Sequence, residues 1–142
     1  MIAYLDTSSL VKIYVDEPGS GAVRTLVEEA AITATSIVAY AEARAAFARK
    51  FRENSLRPGE HRRIKEALDS DWEHYLVLEV TEHLIKEAGL LAENRALRGF
   101  DSIHLAAAVS LRREACSPVQ FSCYDAELKQ VSKEEGFEDS AG

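Results

Sequence analysis

Cysteine is scarce in this sequence. Only Cys116 and Cys123 occur, with no CxxC pair, and the four histidines are scattered along the chain. That pattern excludes a disulfide framework and offers no grouping of the kind that holds structural zinc, so both thiols read as reduced and structural. Long apolar runs are also missing. The opening stretch MIAYLDTSSLVKIYVDEPG shows no basic leader, and Asp6 interrupts its early hydrophobic run. No signal peptide or membrane span can be drawn there, and cytoplasm is the expected location. Net positive charge is the third absence. With 17 Lys and Arg against 24 Asp and Glu, a formal charge of −7 argues against a protein that coats nucleic acid with its whole surface. Internal repeats, linkers and low-complexity tracts are absent as well, so one domain over residues 1–142 is expected.

What is present is an ordinary globular composition, 46% hydrophobic and 29% charged, which excludes a mostly disordered chain. The charge is unevenly spread. Between residues 41 and 66, Arg44, Arg49, Lys50, Arg52, Arg57, Arg62, Arg63 and Lys65 outnumber Glu42, Glu53, Glu60 and Glu66, a net of +4, leaving −11 elsewhere. Such a stretch is either a phosphate-contacting surface, with Arg44 and Arg49 as candidate phosphate contacts, or a solvated helix face with mixed pairs.

The apolar spacing predicts alternating strands and helices. IAYL (2–5) reads as a strand ending at Asp6, followed by a helix with Leu10, Ile13 and Tyr14 inward. A turn at Pro18, Gly19 and Gly21 leads to a helix through Val23, Leu26, Val27 and Ala30, then a strand AITAT (31–35). Ser36 is placed to cap a helix over 37–54, Pro58 and Gly59 break the chain, and a helix over 60–72 precedes the strand YLVLEV (75–80). Thr81 caps a helix that presents Leu84, Ala88 and Leu91 to the core and ends at Gly99, and Asp101 opens the alanine-rich helix after it. SPVQFSCYD (117–125) is the fourth strand, followed by a helix over 126–135 stopped by Gly136, and the tail FEDSAG frays unless Phe137 forms an edge strand. This alternation predicts a three-layer α/β/α sandwich around a central parallel sheet, with its active site beyond the carboxyl ends of the strands.

Four acids interrupt that pattern: Asp6, Glu42, Asp101 and Asp125. Taken singly, the three aspartates are read equally well as helix caps. Glu42 is more telling, because Val38, Ala39, Ala45 and Ala46 at helical spacing around it are small and apolar, so it points from a core-facing side. Four converging carboxylates repel unless cations compensate. Oxygen-only donors without His or Cys suit Mg²⁺ or Mn²⁺, and such ions lower the pKa of water and clamp the oxygens of an in-line phosphoryl displacement.

In YLDTSSLVK, SIVAYAEARAAF, RGFDSIHLAAA and FSCYDAELKQVSKEEGF, in that order and spacing, the chain resembles the PIN-domain nucleases, and among them the VapC-like toxins of bacterial toxin–antitoxin pairs. The resemblance spans nearly the whole chain. It implies a Mg²⁺- or Mn²⁺-dependent ribonuclease, usually a homodimer, with Asp6 and Asp101 as the principal metal ligands and Glu42 and Asp125 completing the pocket. It also implies a VapB-like antitoxin lying in an apolar groove beside the acids. Thr7 and Ser8 match the small hydroxyl residue that follows the first acid. One position departs: Cys123 stands two residues before Asp125, where the family often has Thr or Ser, and Ser122 lies one step earlier. The resemblance gives His104 a packing and orienting role rather than that of a general base.

Other readings are weaker. An aspartyl-phosphate phosphatase is disfavoured because Ser8 stands where a second Asp is needed, and PGSGAVR fits neither GxGxxG nor GxxxxGK[ST]. An RNA-processing nuclease without an antitoxin, and an RNA-binding module with no catalysis, stay open at this level. All four acids are present, which weighs against the second.

Overall fold

Strand β1 (Ile2–Leu5) alternates its side chains between two hydrophobic clusters, and the architecture follows from that alternation in this computed structural model, which describes residues 1–138. Ile2 and Tyr4 face one cluster, while Ala3 and Leu5 face the other. Period-2 alternation in a strand buried on both sides requires a layer of helices on each face.

β1 is followed by α1 (Thr7–Tyr14), α2 (Ser20–Glu29), β2 (Ile32–Ser36), α3 (Val38–Arg52), α4 (Pro58–Trp72) and β3 (Leu76–Leu78). Then come α5 (Glu82–Arg95), α6 (Gly99–Glu114), β4 (Val119–Ser122) and α7 (Ala126–Glu134). The strands are parallel in the order β3-β2-β1-β4, with Ile2 opposite both Ile32 and Val119. Helices α1 to α4 cover one face through Leu10, Val23, Leu26, Phe47 and Leu68, and α5 to α7 cover the other through Leu84, Ala88, Leu105 and Leu128. The α/β/α sandwich is therefore the observed fold.

The strand order locates the crevice. From β1 the chain moves to β2 and β3 on one side, then returns to place β4 on β1's other edge. The helices leaving β1 and β4, α1 and α7, pack on opposite faces, so a gap opens outside the carboxyl ends of these two strands. Asp6 and Asp125 stand at that gap.

Several boundaries differ from the sequence reading. Pro58 and Gly59 start α4 rather than break the chain, since proline is preorganised for the first helical position. Gly99 opens α6 instead of closing α5. The stop for α5 is Ala96, in the left-handed region at φ 54°. Asp101 consequently lies inside the first turn of α6, and Arg98 is the N-cap residue, so the predicted capping role for Asp101 is incorrect. β3 and β4 are shorter than the predicted strands, and residues 123–125 form the connection to α7.

Phe137 neither frays nor extends the sheet. Gly136 takes φ 94°, the Phe137 N–H donates to the Ser132 carbonyl at 3.0 Å, and the ring, 3% exposed, packs 5.7 Å from Phe121 under the Arg112 guanidinium. The rest of the predicted tail, 139–142, lies outside the described residues. Phe137→Ala is expected to lower the unfolding free energy by about 3 kcal/mol in urea titration. An unchanged midpoint would show the ring to be uncommitted.

Candidate active site

Asp6 is the N-cap of α1, so the bland reading of this acid is correct as far as it goes. Its Oδ1 accepts from the Ser9 N–H at 3.0 Å and from the Ser8 hydroxyl at 2.6 Å. The backbone does more. The Asp6 N–H donates to the Ser122 carbonyl at 3.1 Å, continuing the β1–β4 ladder one residue beyond the strand, and the Thr35 hydroxyl donates to the Leu5 carbonyl. Ser122 and Ser9 join their hydroxyls at 2.8 Å, while the Tyr124 N–H donates to Ser8 Oγ. Asp6 is thereby held at the mouth of the β1–β4 gap with only 4% of its surface exposed. Burial pushes its carboxyl above the usual range and nearby Asp101 adds to the rise, against the opposing effects of His104, Ser8 and Ser9.

Glu42 comes from the second turn of α3 and meets Thr7 and His104. The Thr7 hydroxyl donates to its Oε1 at 2.5 Å, and His104 Nε2 lies 3.0 Å from the same oxygen. Behind the imidazole, the fully buried Tyr4 hydroxyl sits 2.9 Å from Nδ1. Burial, with Asp6 and Glu42 close by, raises the Tyr4 hydroxyl pKa well above its ordinary value, so the phenol keeps its proton and donates to Nδ1. Nε2 then carries the proton that faces Glu42, an assignment made from the bonding pattern. Burial pushes the Glu42 carboxyl up, but the bonds from His104 and Thr7 outweigh it and hold the group below the usual range. His104 is thus an orienting residue for an acid.

Asp101 and Asp125 share one cation. Arg98 Nε donates to Asp101 Oδ2 at 3.0 Å and its Nη2 reaches Asp125 Oδ2 at 3.4 Å, while Asp125 Oδ1 caps α7 by accepting from the Leu128 N–H. Cys123 is buried. Its sulfur lies 3.9 Å from the Asp125 carbonyl, and burial followed by the nearby Asp6 charge pushes the thiol up to about 12, so it is no nucleophile at neutral pH.

All four predicted acids, with Thr7, Ser8 and Ser122, therefore gather at one end of the sheet. Beside them opens a cleft of about 680 Å³ whose lining includes Glu42, Thr7, Ser8, Lys12, Arg49, Lys50, Arg52 and Arg98, with Val11, Ala45 and Ala46 as an apolar strip. Of the two predicted phosphate contacts, Arg49 lines this cleft. Arg44 does not: it donates to the Tyr40 hydroxyl at 2.7 Å and lies over that ring. The sequence reading passed over Arg98, although RGFD places it one helical turn before Asp101, and it passed over Lys12, which follows Asp6 on α1.

The donor chemistry suits a hard divalent cation, since carboxylate and hydroxyl oxygens dominate and a guanidinium already acts as a cation between two of the acids. Among the described residues, no three His, Cys, Asp or Glu side chains stand close enough to enclose an ion as they are. Each acid is engaged instead by protein donors, Asp101 and Asp125 by the same arginine.

The model of the PIN domain family matches residues 3–133, and the chain belongs to that family. Two Mycobacterium tuberculosis ribonucleases, VapC45 and VapC49, are each 34% identical to it over 114 residues, covering 78% of this chain and 76% of theirs. Ribonuclease VapC47 of the same organism is 32% identical over 138 residues, covering 94% and 92%. Among solved structures, the M. tuberculosis VapC20 toxin, described as cleaving the sarcin–ricin loop, superposes with a TM-score of 0.66 over 95% of each chain. At 16% identity, that likeness speaks for the fold alone. Within the PIN family the chain is VapC-like.

A buried carboxyl with a raised pKa has a definite effect on stability. The folded state binds the Asp6 proton more readily than the unfolded state, so the associated stability is full at acid pH and is lost as pH rises through the folded-state value. In chelator, Asp6→Asn is expected to raise Tm at pH 7, because asparagine still caps the helix and carries no charge. The gain should shrink as pH falls toward about 4. A lower Tm for the variant at pH 7 would contradict this account.

Proposed function

We propose that this protein is a Mg²⁺- or Mn²⁺-dependent endoribonuclease that hydrolyses RNA phosphodiester bonds as the toxin of a VapBC-type pair. The observation that carries the reading is the gathering of Asp6, Glu42, Asp101 and Asp125, from four separate elements, beside a cleft lined by Lys12, Arg49, Lys50, Arg52 and Arg98. Carboxylates alone would repel RNA. The adjoining cations supply the phosphate-binding wall that an acidic protein otherwise lacks.

Asp6 and Asp101 are the residues that would hold the ion, with Glu42 and Asp125 completing the pocket. A divalent ion there supplies charge that activates water and stabilises the phosphate in in-line displacement. The rest is done by the chain itself. Ser8 and Ser9 fix the Asp6 oxygen, and Thr7 with His104 keeps Glu42 ionised and aimed at the cleft. Arg49 draws in the RNA backbone, and Lys12 and Lys50, each paired with Glu17 of the same cleft at 3.1 Å, add positive charge beside it. Val11, Ala45 and Ala46 form an apolar strip beside the acids, and an antitoxin segment that covers it would block the cleft. Two copies of the chain are proposed to pair, which would take exposed apolar side chains such as Leu90 and Phe100 out of water. No helix among the described residues is long and apolar enough to cross a membrane, and action on cytoplasmic RNA is part of the same proposal.

With purified protein, Asp101→Asn should reduce Mg²⁺- or Mn²⁺-supported RNA cleavage by about a thousandfold while leaving the circular dichroism spectrum unchanged. Chelator should abolish cleavage by the wild type. Cutting at the wild-type rate by the variant, or in chelator, would overturn the assignment. Expression of the toxin should arrest growth, and co-expression of its cognate antitoxin should restore it.

A further inference from the structure

Arg98 bridges the two acids that come from α6 and from the β4–α7 connection, 3.0 Å from Asp101 and 3.4 Å from Asp125. Helix capping does not account for this residue. It occupies the N-cap of α6 and meets the first turn only through the Asp101 carboxylate three residues on, while a cation at that end opposes the helix macrodipole. Packing does not account for it either, since its side chain is 77% exposed. Its partners are carboxylate oxygens, and it lines the same cleft as Glu42 and Arg49.

Exposed ion pairs are weak because water screens them and the long side chain gives up rotamer freedom. A bridge of this kind yields readily to a competitor of higher charge. We infer that Arg98 is a displaceable counter-cation: it satisfies Asp101 and Asp125 in the ion-free protein, competes with a divalent ion for these two carboxylates, and is released into the cleft to bind an RNA phosphate. The guanidinium fork suits both states, since it pairs with carboxylate and phosphate alike. This inference rests on the metal-dependent reading of the site, and it makes Arg98 a positioning residue for the acids and a substrate contact once freed.

Calorimetric titration with Mn²⁺ separates the possibilities. Arg98→Gln should bind Mn²⁺ about three- to tenfold more tightly than the wild type, because the competitor is gone. Arg98→Lys, which retains charge but lacks the planar fork that spans the two carboxylates, should fall between. Arg49→Gln removes a positive charge from the same cleft without touching the acids and should shift affinity by less than about twofold. With Mn²⁺ present, Arg98→Gln should also bind a 2′-O-methyl RNA oligonucleotide several-fold more weakly by fluorescence anisotropy. Equal or weaker Mn²⁺ binding by Arg98→Gln would overturn the competition, as would an equal gain from Arg49→Gln. Absence of Mn²⁺ uptake by the wild type would instead sink the metal reading, and this inference with it.

Discussion

A carboxylate withdrawn from water costs several kcal/mol unless other donors replace its hydration, and in this fold that cost falls on Asp6. The replacement donors are local: the Ser8 hydroxyl and the Ser9 N–H on one oxygen, with the start of α1 contributing the positive end of its dipole. The burial itself comes from β1 being an interior strand, hydrogen-bonded to β2 on one edge and β4 on the other, so the residue just past it emerges where two helices diverge to opposite faces. A more exposed strand end would leave the acid solvated.

Tyr4 ties the core to the chemistry. Its ring stacks on Phe121 within the cluster under α5 to α7, while its hydroxyl reaches His104 and through it Glu42 on the opposite layer. One side chain thus serves as packing at one end and as an orienting group at the other. The alanines of α6 allow this arrangement. Ala106, Ala107 and Ala108 are almost fully buried, which brings the helix close enough to the sheet for the His104 ring to pass between Tyr4 and Thr7.

The layered fold was legible because strand and helix periods are local signals. IAYL and AITAT alternate with amphipathic helices, and no competing pattern intervened. The four acids were legible because each broke such a pattern, and their order matched a family. What escaped was set by tertiary context. Gly99 reads as a helix stop, yet the stop falls at Ala96 in a conformation where glycine would be expected, leaving glycine to open the next helix. Phe137 looked like part of a polar tail, and its burial depends on Phe121 from a distant strand. Arg44 and Arg49 were indistinguishable in sequence. They differ by five positions on a 3.6-residue period, enough to send one toward Tyr40 and α4 and the other toward the cleft. Arg98 was hidden because a cation near an acid on a helix surface is ordinarily a solvated pair.

The strand order has one further outcome, for the order in which the site comes together. β1 carries the first acid and is completed on its far edge only by β4, which follows the other three strands in the chain. Until that edge strand docks, the Asp6 backbone lacks its Ser122 partner, Ser9 lacks its hydroxyl neighbour, and the wall bearing Asp125 does not exist. A chain folded only through β1, β2 and β3 therefore has no assembled crevice. The topology makes the site the last part of this sheet to close.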